Sequence, residues 1–136
     1  MIAIPSRQAL IFGRALSGLV VAFLLIDCGT KLIAPQLALA YSPPGLGWRL
    51  DVTTMRTLGV LLLLPTLLHI WPRTAVLGAI LITGYLGGAI ATHLRIESPL
   101  PTHTLFGAYL GVMLWGGLWL RNPALRRLIP VQAAED

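Results

Sequence analysis

The sequence predicts an all-α integral membrane protein: four transmembrane helices in an antiparallel bundle, with both termini on the same side. Three observations carry this. Of 136 residues, 56% are hydrophobic and 11% charged, whereas a water-soluble domain carries about 25% charge. Four apolar runs approach the ~20 helical residues that cross a ~30 Å hydrocarbon core. The runs are continuous rather than alternating, which selects helices over a membrane barrel, the two structures that satisfy backbone groups in lipid. The whole chain, residues 1–136, makes one domain.

The first span covers Leu10 to Ile33 and ends before Ala34-Pro35. Arg14 interrupts the early apolar stretch and no small-residue cleavage site follows, so this segment reads as a retained helix rather than a signal peptide. A turn-rich connection, "YSPPGLGWRLD" (residues 41–51), offers Tyr41 and Trp48 as interface anchors. The second span, Thr54 to Ile70, holds Pro65, which frees a carbonyl one turn back and predicts a kink. Trp71-Pro72-Arg73 closes it, and the third span runs from Thr74 to Leu94. A polar connection, "RIESPLPTH" (residues 95–103), leads to the fourth span, Thr104 to Leu120, stopped by Arg121-Asn122-Pro123. The tail after Pro130 reads as frayed.

Charge supports the assignment and sets an orientation. A net charge of +5 could signal nucleic acid, but the cations stand singly at the ends of apolar runs, facing lipid headgroups. No basic stripe interleaved with aromatics is present, so nucleic acid is excluded as a partner and membrane lipids are implied. One side of the membrane holds Arg7, Arg14, Arg73, Arg121, Arg126 and Arg127; the other holds Lys31, Arg49, Arg56 and Arg95. That six-to-four count puts both termini in the cytoplasm. The single cysteine, Cys28, excludes an intramolecular disulfide and a CxxC relay.

The polar residues collect at one end of the spans. Asp27, Lys31, Arg56, Thr92, His93, Arg95, Glu97 and His103 all belong to the end away from the termini. Asp27 is the informative one: about five residues past the centre of its span, it costs on the order of 2–3 kcal/mol and has to face protein. Lys31 lies one turn on, on the same helix face. The pair reads equally as a functional polar site and as an ion pair that fixes packing. On the third span, Gly84, Tyr85, Gly88, Ala91, Thr92 and Arg95 fall within about 120° of one another, with His93 well away from the centre of that stripe. Gly84-x-x-x-Gly88 and Gly107-x-x-x-Gly111 are small-xxx-small surfaces for close helix packing, within the chain or in a homo-oligomer. His93 and His103 are the only metal or haem candidates, and no HxxxH or HxxE spacing supports them. At the opposite end, Arg14, His69, Trp71, Arg73, Trp119 and Arg121 read as interface anchors.

"IDCGTKL", "PRTAVLGAILITGYLGGAIATHLR" and "HTLFGAYLGVMLWGGLWLRNPALRRLIP" together resemble the DoxX-like family of small bacterial membrane proteins. The resemblance runs from about Gly13 to Pro130 and is strongest from Pro72 onward. It implies a multi-pass protein of the bacterial inner (cytoplasmic) membrane. It also implies association with redox systems, since the family takes its name from a subunit of a thiosulfate:quinone oxidoreductase. The family often has glycine directly after the acid, where this chain has Cys28. Asp27, Lys31, Thr83, Tyr85, Thr92, His93 and Arg95 match the recurring pattern, and no catalytic residue carries over. Three functions follow as expectations. One is a quinone- or redox-associated subunit whose polar site (Lys31, Tyr85, His93) bonds a quinone and whose electrons come from a partner or a soluble substrate. Another is an assembly or chaperone-like helper presenting its glycine faces, and the last is a small transporter using Asp27.

Overall fold

A computed structural model describes residues 5–46 and 49–131; the expected anchor Trp48 and the last five residues of the tail lie outside them. Helix α1 is Arg7–Ile33. It begins earlier than the apolar run because Ser6 caps it, its Oγ accepting from the Ala9 N–H at 3.2 Å. Gly13, Ser17, Val20, Leu24 and Cys28 are its buried face, a three-and-four spacing that keeps one stripe inward. A short helix α2, Pro35–Ala40, follows at once. It was not expected, although Pro35 at its first position suits a helix start.

Helix α3 is Val52–Ile70, capped by Asp51, whose Oδ1 accepts from the Thr54 N–H at 2.8 Å. That bond, with help from the Thr54 side chain, holds the Asp51 carboxyl below its ordinary pKa. The helix continues through Pro65, and Thr66 Oγ1 donates to the Leu62 carbonyl at 2.7 Å just beyond the proline. Helix α4 is Ala75–Arg95. The polar connection after it contains a π-helical turn, Leu100–Thr104, so the last long helix, α5, starts later than expected and covers Phe106–Arg121. Asn122 then caps a second unexpected short helix, α6, Pro123–Leu128, accepting from the N–H groups of Ala124 and Leu125.

Among the described residues no strand occurs. Three helices, α1, α3 and α4, are long and apolar enough to cross a membrane. With 16 residues, α5 is about 24 Å long. The four long helices form a ring in which α1 and α4 each pack against both α3 and α5. Its centre is a layer of Val20, Leu24, Leu62, Ala79, Ile82 and Leu114, each at most 1% exposed. The outside is also apolar: Phe12, Ile26, Val112 and Leu64 are more than half exposed, the reverse of a surface made for water.

Among the described glycines that let backbones close, Gly107 alone belongs to the two small-xxx-small motifs; Gly78 and Gly13 do not. A Cβ on Gly78 would meet the His69 N and, at 2.7 Å, both His69 Cα and the Pro65 carbonyl oxygen, so α3 and α4 touch backbone to backbone there. A Cβ on Gly13 would stand 2.9 Å from the Gly117 carbonyl oxygen, which marks the crossing of α1 and α5. Gly107 closes on Ile90 and the Leu86 carbonyl of α4. Gly84, Gly88 and Gly111 have nothing within 4 Å of an added Cβ. The packing role expected of these three is therefore corrected within the chain: no helix of the ring lies against them.

Candidate functional site

Asp27 and Lys31 occupy the last two turns of α1. The Lys31 Nζ donates to Asp27 Oδ1 at 2.5 Å, a charge-assisted bond within one helix. The Lys31 side chain is only 16% exposed and that of Asp27 34%. The lysine stem lies against α3, where a Cβ on Gly59 would meet Lys31 Cβ at 3.1 Å. The ammonium thus turns back to its own helix instead of reaching along the surface.

Beside the pair lies a cavity of about 940 Å³ between α1 and α4. The C-terminal halves of α1 and α4 supply most of its polar groups, α3 lends Met55, Leu58 and Leu61, the segment from Tyr41 and Ser42 to Leu46 forms another side, and His103 of the π-helical turn completes it. From α4 come Gly84, Tyr85, Gly88, Ala89, Thr92 and His93. At 100° per residue these cover about half the helix circumference. His93, placed by the helical wheel away from the Gly84–Thr92 stripe, is therefore at the same cavity. The wheel fails here because the opening is wider than the stripe. Gly84 and Gly88 are cavity wall, and their lack of side chains is what leaves the volume open.

The polar groups differ in how free they are. Thr92 Oγ1 donates to the Gly88 carbonyl at 2.8 Å and Thr30 Oγ1 to the Ile26 carbonyl at 2.8 Å, so both hydroxyl protons are spent on their own helices. The Tyr85 hydroxyl, by contrast, has no hydrogen-bond partner among the described residues and lies within electrostatic reach of Asp27. His93 pairs through Nδ1 with Ser98 Oγ at 3.0 Å, and His103 through Nδ1 with Thr102 Oγ1 at 2.8 Å. Their rings stand 5.9 Å apart, leaving the two Nε2 atoms for other contacts. Among the described residues no cluster of three His, Cys, Asp or Glu side chains is placed to hold a metal ion. Arg95 is not on the cavity wall; its guanidinium donates to the Leu46 carbonyl and ties the 41–46 segment over the cavity.

Sequence reasoning missed that segment. Its signals are Pro35 at a helix start and Gly45, which has a positive φ of 81° and turns the chain back toward α4. At the opposite end, the reading of His69 as an interface anchor is corrected. His69 is 1% exposed, with Nδ1 donating to the Ala75 carbonyl at 3.0 Å, because Gly78 lets its backbone sink against α4. Arg121 is partly buried beside it.

No curated protein and no solved structure matches the chain. The sequence model of the DoxX-like family matches residues 15–117, a stretch that takes in the ring from the third turn of α1 to Gly117 and every α1 and α4 residue of the cavity. With its apolar helices, that match makes this chain a membrane protein belonging to the DoxX-like family.

Proposed function

We propose that the chain is a four-helix transmembrane bundle of a bacterial inner membrane, with both termini cytoplasmic, and that it serves a redox system as a quinone-binding subunit. One observation carries this reading: the cavity between α1 and α4 is largely apolar, and its few polar groups converge from the two helices and, with Tyr41, Ser42 and His103, from the connections. A quinone has two carbonyl acceptors on a flat ring and an apolar tail. Lys31 Nζ and the Tyr85 hydroxyl, together with an Nε2–H of His93 or His103, are the donors available to the ring. Ile26 and Leu61 line the cavity and are also 69% and 54% exposed, so the tail can enter from the lipid side. Such concave, mainly apolar sites with a few placed polar groups are the usual form of a small-molecule site. The sequence carries no flavin, haem or iron–sulfur motif, so the residues of this chain bind and orient the ring while a partner protein supplies electrons.

Extraction of the protein purified from its native membranes tests this. About one quinone per chain is expected in the organic extract, and a large loss with Tyr85→Phe combined with Lys31→Gln. An extract free of quinone, with no melting shift on adding one, contradicts it.

An assembly role finds support in one observation, the open glycines Gly84, Gly88 and Gly111, which a helix of another membrane protein could cover. In that case Gly84→Leu abolishes partner capture and Asp27→Asn leaves it intact. Transport through Asp27 finds less support, because Lys31 holds the carboxylate that would have to exchange protons or cations.

A further inference from the structure

The end of the ring remote from the cavity holds three buried polar atoms without a hydrogen-bond partner among the described residues: Ser17 Oγ, His69 Nε2 and Arg121 Nε. Ser17 is explained by packing, since its Oγ sits 2.5 Å from where a Cβ on Gly117 would be. The other two are not. His69 is 1% exposed, and because its Nδ1 donates to the Ala75 carbonyl, Nε2 of the neutral ring is an acceptor looking for an O–H or N–H. Arg121 can only donate. Its Cβ lies 3.5 Å from the position of a Cβ on Gly13, next to Arg14, and its charge bears on His69 as that of Arg14 bears on it. Three helices, α1, α3 and α5, thus bring two guanidiniums and an unpartnered imidazole to one place.

Among the described residues no carboxylate answers them. The described acids are Asp27, Asp51 and Glu97, all at the other end, and the described ion pairs are Lys31 with Asp27 and Arg49 with Asp51. A buried donor left without an acceptor is costly, and two neighbouring guanidiniums favour an oxyanion that can bridge them. A single partner for Arg121 Nε and His69 Nε2 has to offer an acceptor to the first and an O–H or N–H to the second.

We propose that Arg14, His69 and Arg121 form a site for a phosphate group that carries or adjoins a hydroxyl. The headgroup of an anionic phospholipid and free inorganic phosphate share that chemistry. The test uses the full chain in neutral detergent, read by native mass spectrometry and by melting. Dioleoylphosphatidylglycerol is compared with dioleoylphosphatidylcholine, and sodium phosphate with sodium chloride at equal ionic strength. The glycerol lipid or phosphate is expected to bind and raise the melting temperature above its control. Arg14→Gln, an exposed position that leaves the helix crossing alone, is expected to weaken that binding roughly tenfold, the loss of one charge-assisted contact. His69→Asn keeps a donor for the Ala75 carbonyl and is expected to weaken binding as well. Binding of the glycerol lipid alone identifies a headgroup site; binding of sodium phosphate identifies a free-anion site. Equal behaviour of both lipids and both salts, or affinities unmoved by Arg14→Gln and His69→Asn, overturns the proposal and leaves a bridging water as the occupant.

Discussion

Gly78→Ala separates close helix contact from mere glycine spacing. The new Cβ would stand 2.7 Å from His69 Cα and from the Pro65 carbonyl oxygen, and closer still to the His69 N, where carbon contacts settle at about 3.5–4.0 Å. Helices α3 and α4 must therefore part by about 1 Å. Overpacking of this kind costs about 1–3 kcal/mol, and the upper part, about 2–3 kcal/mol, applies because the atoms met are backbone, which cannot rotate away. Alanine returns about 0.8–1.0 kcal/mol of helix propensity, so the net loss is about 1–2 kcal/mol. At about 4 °C per kcal/mol for a chain of this size, the melting temperature falls by about 4–8 °C. Gly84→Ala and Gly88→Ala meet nothing within 4 Å and keep only the propensity gain, so they melt unchanged or up to about 4 °C higher. The single cysteine, Cys28, is 1% exposed, so a thiol-reactive fluorogenic dye reports unfolding directly. A loss for Gly84→Ala as large as that for Gly78→Ala would refute the packing described for the ring.

Further outcomes follow from the same geometry. Lys31→Met strands Asp27 inside the bundle and lowers stability by about 2–3 kcal/mol, whereas Lys31→Met with Asp27→Asn recovers most of it; additive losses in the dye-monitored melt count against the 2.5 Å pair. Tyr85→Phe weakens quinone binding about three- to tenfold, the share of one neutral hydrogen bond, with the melting of the unliganded protein unmoved; unchanged affinity in a quinone titration removes Tyr85 from the site. Asp51 has a folded pKa below its unfolded value, so its contribution is present above the unfolded pKa and lost as pH falls through the folded one. Asp51→Asn, which keeps the cap, is expected to melt like the wild type at neutral pH and to show a shallower decline on acidification; an identical acid profile contradicts the Thr54 bond as its cause.

Much of the helical frame is legible in the sequence, because lipid leaves few ways to satisfy a backbone and the apolar runs end at Pro35, Trp71-Pro72 and Asn122-Pro123. The helix starts are earlier at Ser6 and Asp51 because capping side chains extend a helix past its apolar stretch. Helices α2 and α6 were hidden for the opposite reason: six residues carry too little periodicity to read, and their signs were only Pro35 and Asn122-Pro123. The Asp27 and Lys31 contact follows from spacing alone, since i and i+4 residues meet on any helix. The cavity does not, because it depends on where α1 and α4 stand apart across the ring, and spacing along one helix says nothing about that distance. The same gap explains the glycines. Gly78 belongs to no Gly-x-x-x-Gly pair, yet it is the tightest contact among the described glycines, while Gly84-x-x-x-Gly88 faces open space. His69 looked like a headgroup residue because it closes a span, and only the depth of Gly78 beneath it shows otherwise.

The most direct test is the binding of a short-chain quinone, decylubiquinone, to the detergent-purified chain and to Gly88→Phe. A Cβ at position 88 meets nothing within 4 Å, and a phenyl ring carried on it takes up space in the cavity that Gly88 lines. Saturable binding by the wild type, lost in Gly88→Phe while the melting temperature holds, is the predicted result. Saturable binding that survives Gly88→Phe, or none in the wild type, would contradict a quinone site between α1 and α4.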